Sequence, residues 1–193
     1  MGTTPRILAF AGSARFGSFN KRLVAIAAAG ARAAGADVTL IDLRDYALPL
    51  YDGDAEERDG LPSNARTLKD FFLANQGLLI SAPEYNSSIT PLLKNTLDWV
   101  SRPVTGEPPL NCFDGKVAAL MSASPGALGG LRGLVHVRAI LQNIRVLTIP
   151  EQIAVPHAGE AFAADGSLKD AKRHAAIQGL GAALTRTIVK VCA

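Results

Sequence analysis

The chain has 193 residues, of which 48% are hydrophobic and 19% charged, with a formal net charge of +3; this balance is typical of a globular domain and excludes an intrinsically disordered chain. No run of basic residues is longer than Lys172-Arg173, no apolar run approaches the roughly 20 residues of a membrane span, and residues 1–12 lack the pattern of a signal peptide. We therefore expect a cytoplasmic protein that binds neither nucleic acid nor membranes.

Strand-like and helix-like segments alternate along the sequence. The apolar run at 6–11 stops at a Gly-Ser pair, and the alanine-rich run at 19–34 has apolar residues at helical spacing and stops at Gly35. In chain order, the first elements predicted are a strand at 6–11, a helix at 19–34, a strand at 37–42, an irregular stretch at 48–62 and a helix at about 63–75 with Ser63 as its N-cap. The remaining elements are a strand at 77–82, a helix at about 90–100, a strand at 116–122, a helix at 131–143, a strand that begins at 145 and a helix at about 167–191.

This alternation predicts a fold and the place of its ligand site. Five strands separated by helices indicate a single α/β domain over residues 1–193, with a parallel sheet between two layers of helices. In a doubly wound sheet of order 2-1-3-4-5, strands 1 and 3 are neighbours, and ligands bind beyond their carboxyl ends. The loops that follow the strands are therefore the candidate site.

The loop after the first strand has the chemistry of a phosphate site. Residues 12–20 (GSARFGSFN) lead directly into a helix, whose first N–H groups and positive dipole end favour an anion. Ser13, Ser18 and Asn20 add neutral donors, and Arg15 adds a forked cation. Because the loop is neither a Walker A motif nor a GxGxxG turn, a terminal monophosphate fits better than a pyrophosphate. The alternative is that Ser and Asn only cap the helix while Arg15 is solvated.

The loop after the third strand could line the edge of a flat, polar ring. Pro83 ends the strand, and Glu84-Tyr85-Asn86-Ser87 cannot continue it as buried apolar sheet. Backbone N–H groups here could stabilise charge on a reduced ring, and the side chains at 85 and 86 could stack on it or bond to it. The alternative is an ordinary loop in which Ser88 or Thr90 caps the next helix.

A glycine-rich loop follows the fourth strand. Residues 122–130 (SASPGALGG) contain three glycines within five positions, which either let the backbone approach a ligand closely or make a tight turn. All three unusual loops follow strands at one edge of the predicted sheet. A phosphate site beside a planar-ring site suggests flavin mononucleotide (FMN), and hence an oxidoreductase.

With these motifs the chain resembles the NADPH-dependent FMN reductase family of flavodoxin-like proteins, a group that includes bacterial chromate, quinone and azo-dye reductases. Three segments carry the resemblance: residues 12–20, the run from Pro83 to Asn86 with its continuation at 91–99 (PLLKNTLDW), and residues 124–130. Their order and spacing cover residues 7 to about 140. The resemblance implies a three-layer flavodoxin-like fold with a five-stranded parallel sheet of order 2-1-3-4-5.

The resemblance also implies which residues contact FMN. Those implied around the phosphate and ribityl chain are Ser13, Arg15, Ser18, Phe19 and Asn20. Those implied to contact the isoalloxazine are Pro83, Glu84, Tyr85, Asn86 and Ser87, with Ser124 and Gly126 closing another side. The Pro-rich stretch at 102–109 departs from the family pattern beside the expected pocket and leaves the acceptor preference open.

The implied activity is hydride transfer from NADPH or NADH to FMN, followed by transfer of two electrons to a small-molecule acceptor such as a quinone, azo dye, chromate or flavin, by a ping-pong mechanism. Because the cofactor carries this chemistry, we assign no catalytic residue to the protein. One alternative is a flavodoxin-type electron carrier, which the slightly basic charge disfavours because flavodoxins are usually strongly acidic. A hydrolase on the same fold would need a nucleophile such as Cys in residues 12–20, which contain none.

The cysteines and histidines indicate no metal site. Cys112 and Cys192 are far apart and belong to no CxxC motif, so we expect isolated thiols in a reducing cytoplasm. The three histidines, His136, His157 and His174, show no ligand spacing.

The helix at 90–100 suggests self-association. Its apolar residues spread around much of its surface, more than a one-sided helix needs, unless a neighbouring loop covers the excess. These residues are Leu92, Leu93, Thr96, Leu97, Trp99 and Val100. Together with the resemblance, whose members commonly form dimers or tetramers, this pattern favours a homodimer or homotetramer.

Overall fold

A five-stranded parallel sheet forms the centre of the protein, in a computed structural model that describes residues 4–191. In chain order the strands are β1 (Arg6–Ala11), β2 (Asp37–Leu40), β3 (Gly77–Ser81), β4 (Glu84–Tyr85), β5 (Ser88–Ile89), β6 (Val117–Ala123) and β7 (Leu147–Val155). Strands β4 and β5 form a separate antiparallel pair, and the other five are all parallel in the order β2-β1-β3-β6-β7. The predicted strand order is confirmed.

Helices cover both faces of this sheet. They are α1 (Phe19–Ala33), α2 (Gly53–Asp59), α3 (Ser63–Ala74), α4 (Pro91–Val100), α5 (Leu131–Asn143), α6 (Ala158–Ala161) and α7 (Ala171–Val191). One hydrophobic cluster joins the sheet to α1 and α7, and a second joins its other face to α3, α4 and α5. The three-layer flavodoxin-like architecture is thus confirmed.

The ends of several helices follow the predicted signals, whereas one does not. Gly35, with φ +91°, follows the end of α1, and Pro91 occupies the first turn of α4. The prediction of Ser63 as an N-cap is wrong: Ser63 is the first helical residue of α3, and Pro62 precedes it in an extended conformation without a side-chain cap. The last helix begins at Ala171 instead of 167, because the Asp170 carboxylate accepts hydrogen bonds from the first N–H groups of the helix.

The stretch at 48–62, which we expected to be irregular, contains α2 and covers the apolar surface of α4. No residue of α2 is buried, so its sequence has no apolar periodicity that would predict a helix. Trp99 is only 1% exposed: its Nε1 donates to the Pro49 carbonyl at 2.8 Å, and its ring meets that of Tyr51 edge-on. The apolar excess of α4 is therefore buried within one chain, so it does not call for a partner subunit.

Two other expectations concern membranes and thiols. No helix within residues 4–191 is long and apolar enough to cross a bilayer. Cys112 is a free, buried thiol whose pKa is raised by burial, against the opposing charge of Lys69. Cys192 lies outside the described residues.

Candidate functional site

The loops after β1, β3 and β6 meet at the carboxyl edge of the sheet and enclose one cleft. The residues that line it are Ser13, Arg15, Ser18, Phe19, Asn20, Pro83, Glu84, Tyr85, Ala123, Ser124 and Pro125. Of the residues predicted to contact the cofactor, all but Asn86, Ser87 and Gly126 line this cleft. Ala123 and Pro125 were not predicted, although they flank Ser124 in the same loop.

The first loop presents donors that the protein does not use. Ser18 occupies the N-cap position of α1 with an extended backbone, but its side chain makes no capping hydrogen bond. In the first turn of α1, the Phe19 and Asn20 N–H groups have no hydrogen-bond partner among the described residues, whereas the Lys21 N–H donates to the Ser18 carbonyl at 3.2 Å. The Arg15 guanidinium is exposed and makes no hydrogen bond or ion pair with the residues described. This set of donors fits a phosphate. Of the alternative explanation, the cap by the Ser18 side chain is not observed, whereas Arg15 is exposed to solvent as that alternative expected.

The start of this loop is fixed against α4. The Thr90 hydroxyl donates to the Gly12 carbonyl at 2.7 Å and accepts the Leu93 N–H at 3.2 Å. A Cβ on Gly12 would lie 2.9 Å from the Leu93 Cβ, so only glycine allows this close approach. Thr90, and not Ser88, therefore caps α4. The same hydroxyl holds the start of the loop after β1 in place.

Asn20 holds three segments together beneath the cleft, and it is also a candidate hydrogen-bond donor to a ligand. Its Oδ1 accepts hydrogen bonds from the Ser81 hydroxyl at 2.8 Å and from the Ala123 N–H at 3.0 Å, while its Nδ2 donates to the Ala123 carbonyl at 2.8 Å. The side chain therefore joins α1 to the carboxyl ends of β3 and β6. With both acceptor positions used, one N–H of the amide is left for a ligand.

The predicted loop at 83–87 is instead the first part of a β-hairpin. Glu84 pairs with Ile89 and Tyr85 with Ser88 across the strands β4 and β5. The two turn residues, Asn86 and Ser87, have φ values of +49° and +68°, which is the conformation of a tight type I′ turn. These two residues form the tip of the hairpin and are not among the residues that line the cleft, whereas residues 83–85 are.

Glu84 lines the cleft, and its carboxylate is bound by residues of α5. Its Oε1 accepts hydrogen bonds from Nε and Nη2 of Arg132, the first at 2.8 Å, and its Oε2 accepts the Gly133 N–H at 3.2 Å. Burial alone would raise the pKa of this carboxyl, but the bonds from Arg132 and Gly133 hold the pKa below its ordinary value. Glu84 is thus held in its ionised form and anchors the hairpin to α5.

The glycine-rich loop after β6 is mostly a tight turn. Gly129 and Gly130 have φ values of +63° and +92°, and a Cβ on Gly130 would clash with the Ser122 hydroxyl. Gly126 differs, because it is exposed and its N–H donates to the Ser124 hydroxyl at 3.2 Å. Of the two explanations for these glycines, tight turning therefore accounts for 129 and 130.

The Pro-rich stretch at 102–109 does not lie beside the cleft as we expected. Arg102 Nε pairs with the Glu56 carboxylate at 2.8 Å, and Glu107 lies 3.7 Å from Lys69 Nζ, which fixes the stretch against α2 and α3. None of its residues lines the cleft.

A second cleft is larger but fits a phosphorylated flavin less well. Its volume is about 390 Å³, and it lies between α1, α7 and the turn at 165–167, away from the loops that end β1, β3 and β6. It places the Asp165 carboxylate with Arg22 and His174, and a carboxylate disfavours a phosphate. No group of three or more His, Cys, Asp or Glu side chains in residues 4–191 could hold a metal ion.

Known proteins are similar to this chain in both sequence and fold. A model of the NADPH-dependent FMN reductase family matches residues 5–160. The NAD(P)H-dependent FMN reductase of Pseudomonas aeruginosa is 35% identical over 175 residues, which cover 90% of this chain and 89% of that protein. The quinone reductase of Escherichia coli K12 is 33% identical over 140 residues, covering 70% of this chain and 69% of that protein.

Among solved structures, FerB, a flavoenzyme NAD(P)H:(acceptor) oxidoreductase from Paracoccus denitrificans, superposes with a TM-score of 0.78 at 28% identity, covering 97% of this chain and 98% of that chain. The match extends over almost the whole length of both chains, so it includes the sheet edge that carries the cleft. The chain therefore belongs to the NADPH-dependent FMN reductase family, which confirms the prediction of an FMN-dependent oxidoreductase.

Proposed function

We propose that the cleft formed by the loops after β1, β3 and β6 holds FMN and transfers electrons from NADPH or NADH to a quinone. The observation that carries this proposal is the set of unused donors at the start of α1, in the same cleft as the hairpin residues. The Escherichia coli relative is named a quinone reductase, which supports a quinone as acceptor. Free flavins, azo dyes and chromate are further candidate acceptors.

Each part of the cleft would have its own task. The first-turn N–H groups of α1, with Ser13, Ser18 and Arg15, would bind the phosphate, because several donors and a helix N-terminus favour an anion. Pro83 and Tyr85 would border the ring, with Ser124 on the other side. When bound, FMN supplies the chemistry of hydride acceptance and electron release, so the protein binds and orients the reactants.

Donor and acceptor would use the same open side of the cleft in turn. The three loops enclose one side of the bound ring, which leaves one face for both small molecules. Such an arrangement gives ping-pong kinetics, since the first product must leave before the acceptor binds. In this scheme Glu84 and Tyr85 would shape the shared pocket without transferring protons. Glu84 is held as a carboxylate by Arg132, so it has no proton to donate.

We also propose that the protein is a homodimer or a pair of dimers. The support on this chain is an exposed apolar surface on and just before α5, formed by Leu128, Leu131 and Val135, which are 50%, 43% and 59% exposed. Light scattering at micromolar concentration tests this point, and the mass of a single chain would contradict it.

The experiment that tests the function follows the visible absorption of the purified protein without oxygen. Addition of NADPH should bleach the flavin absorption, and a quinone added afterwards should restore it with no protein partner present. An electron carrier would take up electrons from NADPH only when a reductase is added, so a spectrum unchanged by NADPH would contradict the proposal.

A further inference from the structure

The hairpin at 84–89 has little support of its own. Each of its strands has two residues, and the pair is not part of the main sheet. A lone two-stranded hairpin is marginally stable at best in water. Its turn also places two residues other than glycine at positive φ. The position of this hairpin must therefore be set by what it packs against.

Helix α5 holds both strands of the hairpin. Arg132 and the Gly133 N–H bind the Glu84 carboxylate on β4, and His136 Nδ1 lies 2.8 Å from the Ser88 hydroxyl on β5. Arg132 and His136 are four residues apart and so lie on one face of the helix. Gly133 lies between them, where a Cβ would come within 3.2 Å of the Ser88 carbonyl oxygen.

The Glu84 carboxylate also completes the beginning of α5. Gly130 occupies the N-cap position and offers no side chain, so the first-turn N–H groups lack the usual cap. Glu84 takes this place from outside the helix, where the helix dipole favours a negative charge. Its side chain is only 8% exposed, whereas that of Arg132 is 56% exposed. Loss of the Arg132 side chain would leave this buried carboxylate with backbone N–H groups, those of Gly133 and residue 132, as its remaining partners.

We infer that Arg132 is a positioning residue for the flavin site, which fixes the hairpin through Glu84 and thereby the edge of the cleft that borders the ring. Arg132 does not line the cleft itself, whereas Pro83, Glu84 and Tyr85 do. This role rests on the proposed function, because it assigns the ring to this edge of the cleft. It predicts that loss of Arg132 weakens the binding of the flavin ring and leaves the binding of the phosphate unchanged.

The test compares FMN with riboflavin, which has the same ring but no phosphate. Protein freed of flavin is titrated with each ligand and the fluorescence is followed, for the wild type and for Arg132→Ala, Arg132→Lys and Arg58→Ala. Arg58→Ala is the matched control, because Arg58 also forms an ion pair, with Asp59 at 2.7 Å, but both partners are exposed and lie on α2.

Arg132→Ala should lower the affinities for FMN and for riboflavin by the same factor, roughly tenfold. This is the scale of coupling through an intervening contact. Arg132→Lys should fall between Arg132→Ala and the wild type, because lysine keeps the charge but loses the fork. The midpoint potential of bound FMN should become more negative in Arg132→Ala, since the reduced ring carries more negative charge and would lose well-placed donors. Hydrogen exchange of amides 84–89 should be faster in the flavin-free variant, and Arg58→Ala should match the wild type throughout.

Two results would overturn the inference, and they are distinguishable. If the wild type binds FMN and Arg132→Ala has the same affinities and potential, Arg132 does not position the site. If the wild type binds neither flavin, the proposed function fails and this inference fails with it. Should Arg132→Ala not fold, as judged by circular dichroism, the same comparison applies to Arg132→Lys.

Discussion

The Ser81 hydroxyl at the end of β3 donates to the Asn20 Oδ1 at the start of α1, at 2.8 Å and out of contact with solvent. The same amide binds both backbone groups of Ala123 on β6. One side chain thus connects the three segments from which the cleft is built. A residue that resembles a ligand-binding asparagine in the sequence is also part of the framework that shapes the site.

Asn20→Ala should therefore reduce stability as well as flavin affinity. It removes the partners of buried groups on Ser81 and Ala123, and each buried polar group left unsatisfied costs about 1–3 kcal/mol. We expect a fall of at least this size in the free energy of unfolding, measured with urea on flavin-free protein. Asn143→Ala, at an exposed position in α5, is the control. Unchanged stability in Asn20→Ala would mean that these hydrogen bonds contribute nothing.

Arg15→Ala should weaken the binding of the FMN phosphate without affecting the binding of the ring or the stability of the protein. Arg15 is exposed and unpaired among the described residues, so its removal should not alter the stability of the protein without flavin. FMN affinity should fall by about 1.5–3 kcal/mol, the scale of a hydrogen bond to a charged group. Riboflavin affinity should stay the same, and turnover at saturating FMN should be largely kept. Normal FMN affinity in the variant would remove Arg15 from the site.

Tyr85→Phe should change how the acceptor binds more than how fast the flavin is reduced. Tyr85 lines the cleft and is 57% exposed, so we expect its phenol to contact a small molecule bound on the open side. We expect a changed KM for the quinone, with the rate of flavin reduction by NADPH, measured by stopped flow, close to that of the wild type. A loss of orders of magnitude in that rate would show that the phenol takes part in the chemistry.

Glu84→Gln should make the stability of the protein less dependent on pH under acidic conditions. Arg132 and Gly133 lower the pKa of Glu84 in the folded protein below its ordinary value of 4.5, despite the opposing effect of burial. A lowered pKa in the folded state stabilises the protein above the unfolded pKa and loses this contribution as the pH falls through the folded pKa. The wild type should therefore have the higher Tm near pH 6, and this difference should shrink as the pH is lowered to about 3, because the carboxyl group becomes protonated over this range. A constant difference would contradict the ionised anchor.

The predicted parts of the structure are those that local chemistry determines. The apolar runs that became β1, β3 and β6 each stop where glycine, serine or proline begins, so the sheet and the position of the site could be derived. The hairpin at 84–89 could not, because two-residue strands have no alternation, and a type I′ turn at Asn86-Ser87 lacks the usual glycine. The partners of Glu84 and Trp99 are 48 and 50 residues away along the chain, at Arg132 and Pro49, and only the folded structure reveals them.

The crystal structure of the protein with FMN tests the central claim most directly, since that claim is the location of the flavin. We predict the phosphate within hydrogen-bonding distance of Ser18, Arg15 and the first N–H groups of α1, with the ring bordered by Pro83 and Tyr85 of the hairpin segment. The contradicting result is a flavin in the larger cleft between α1 and α7, with its phosphate beside Arg22 and His174.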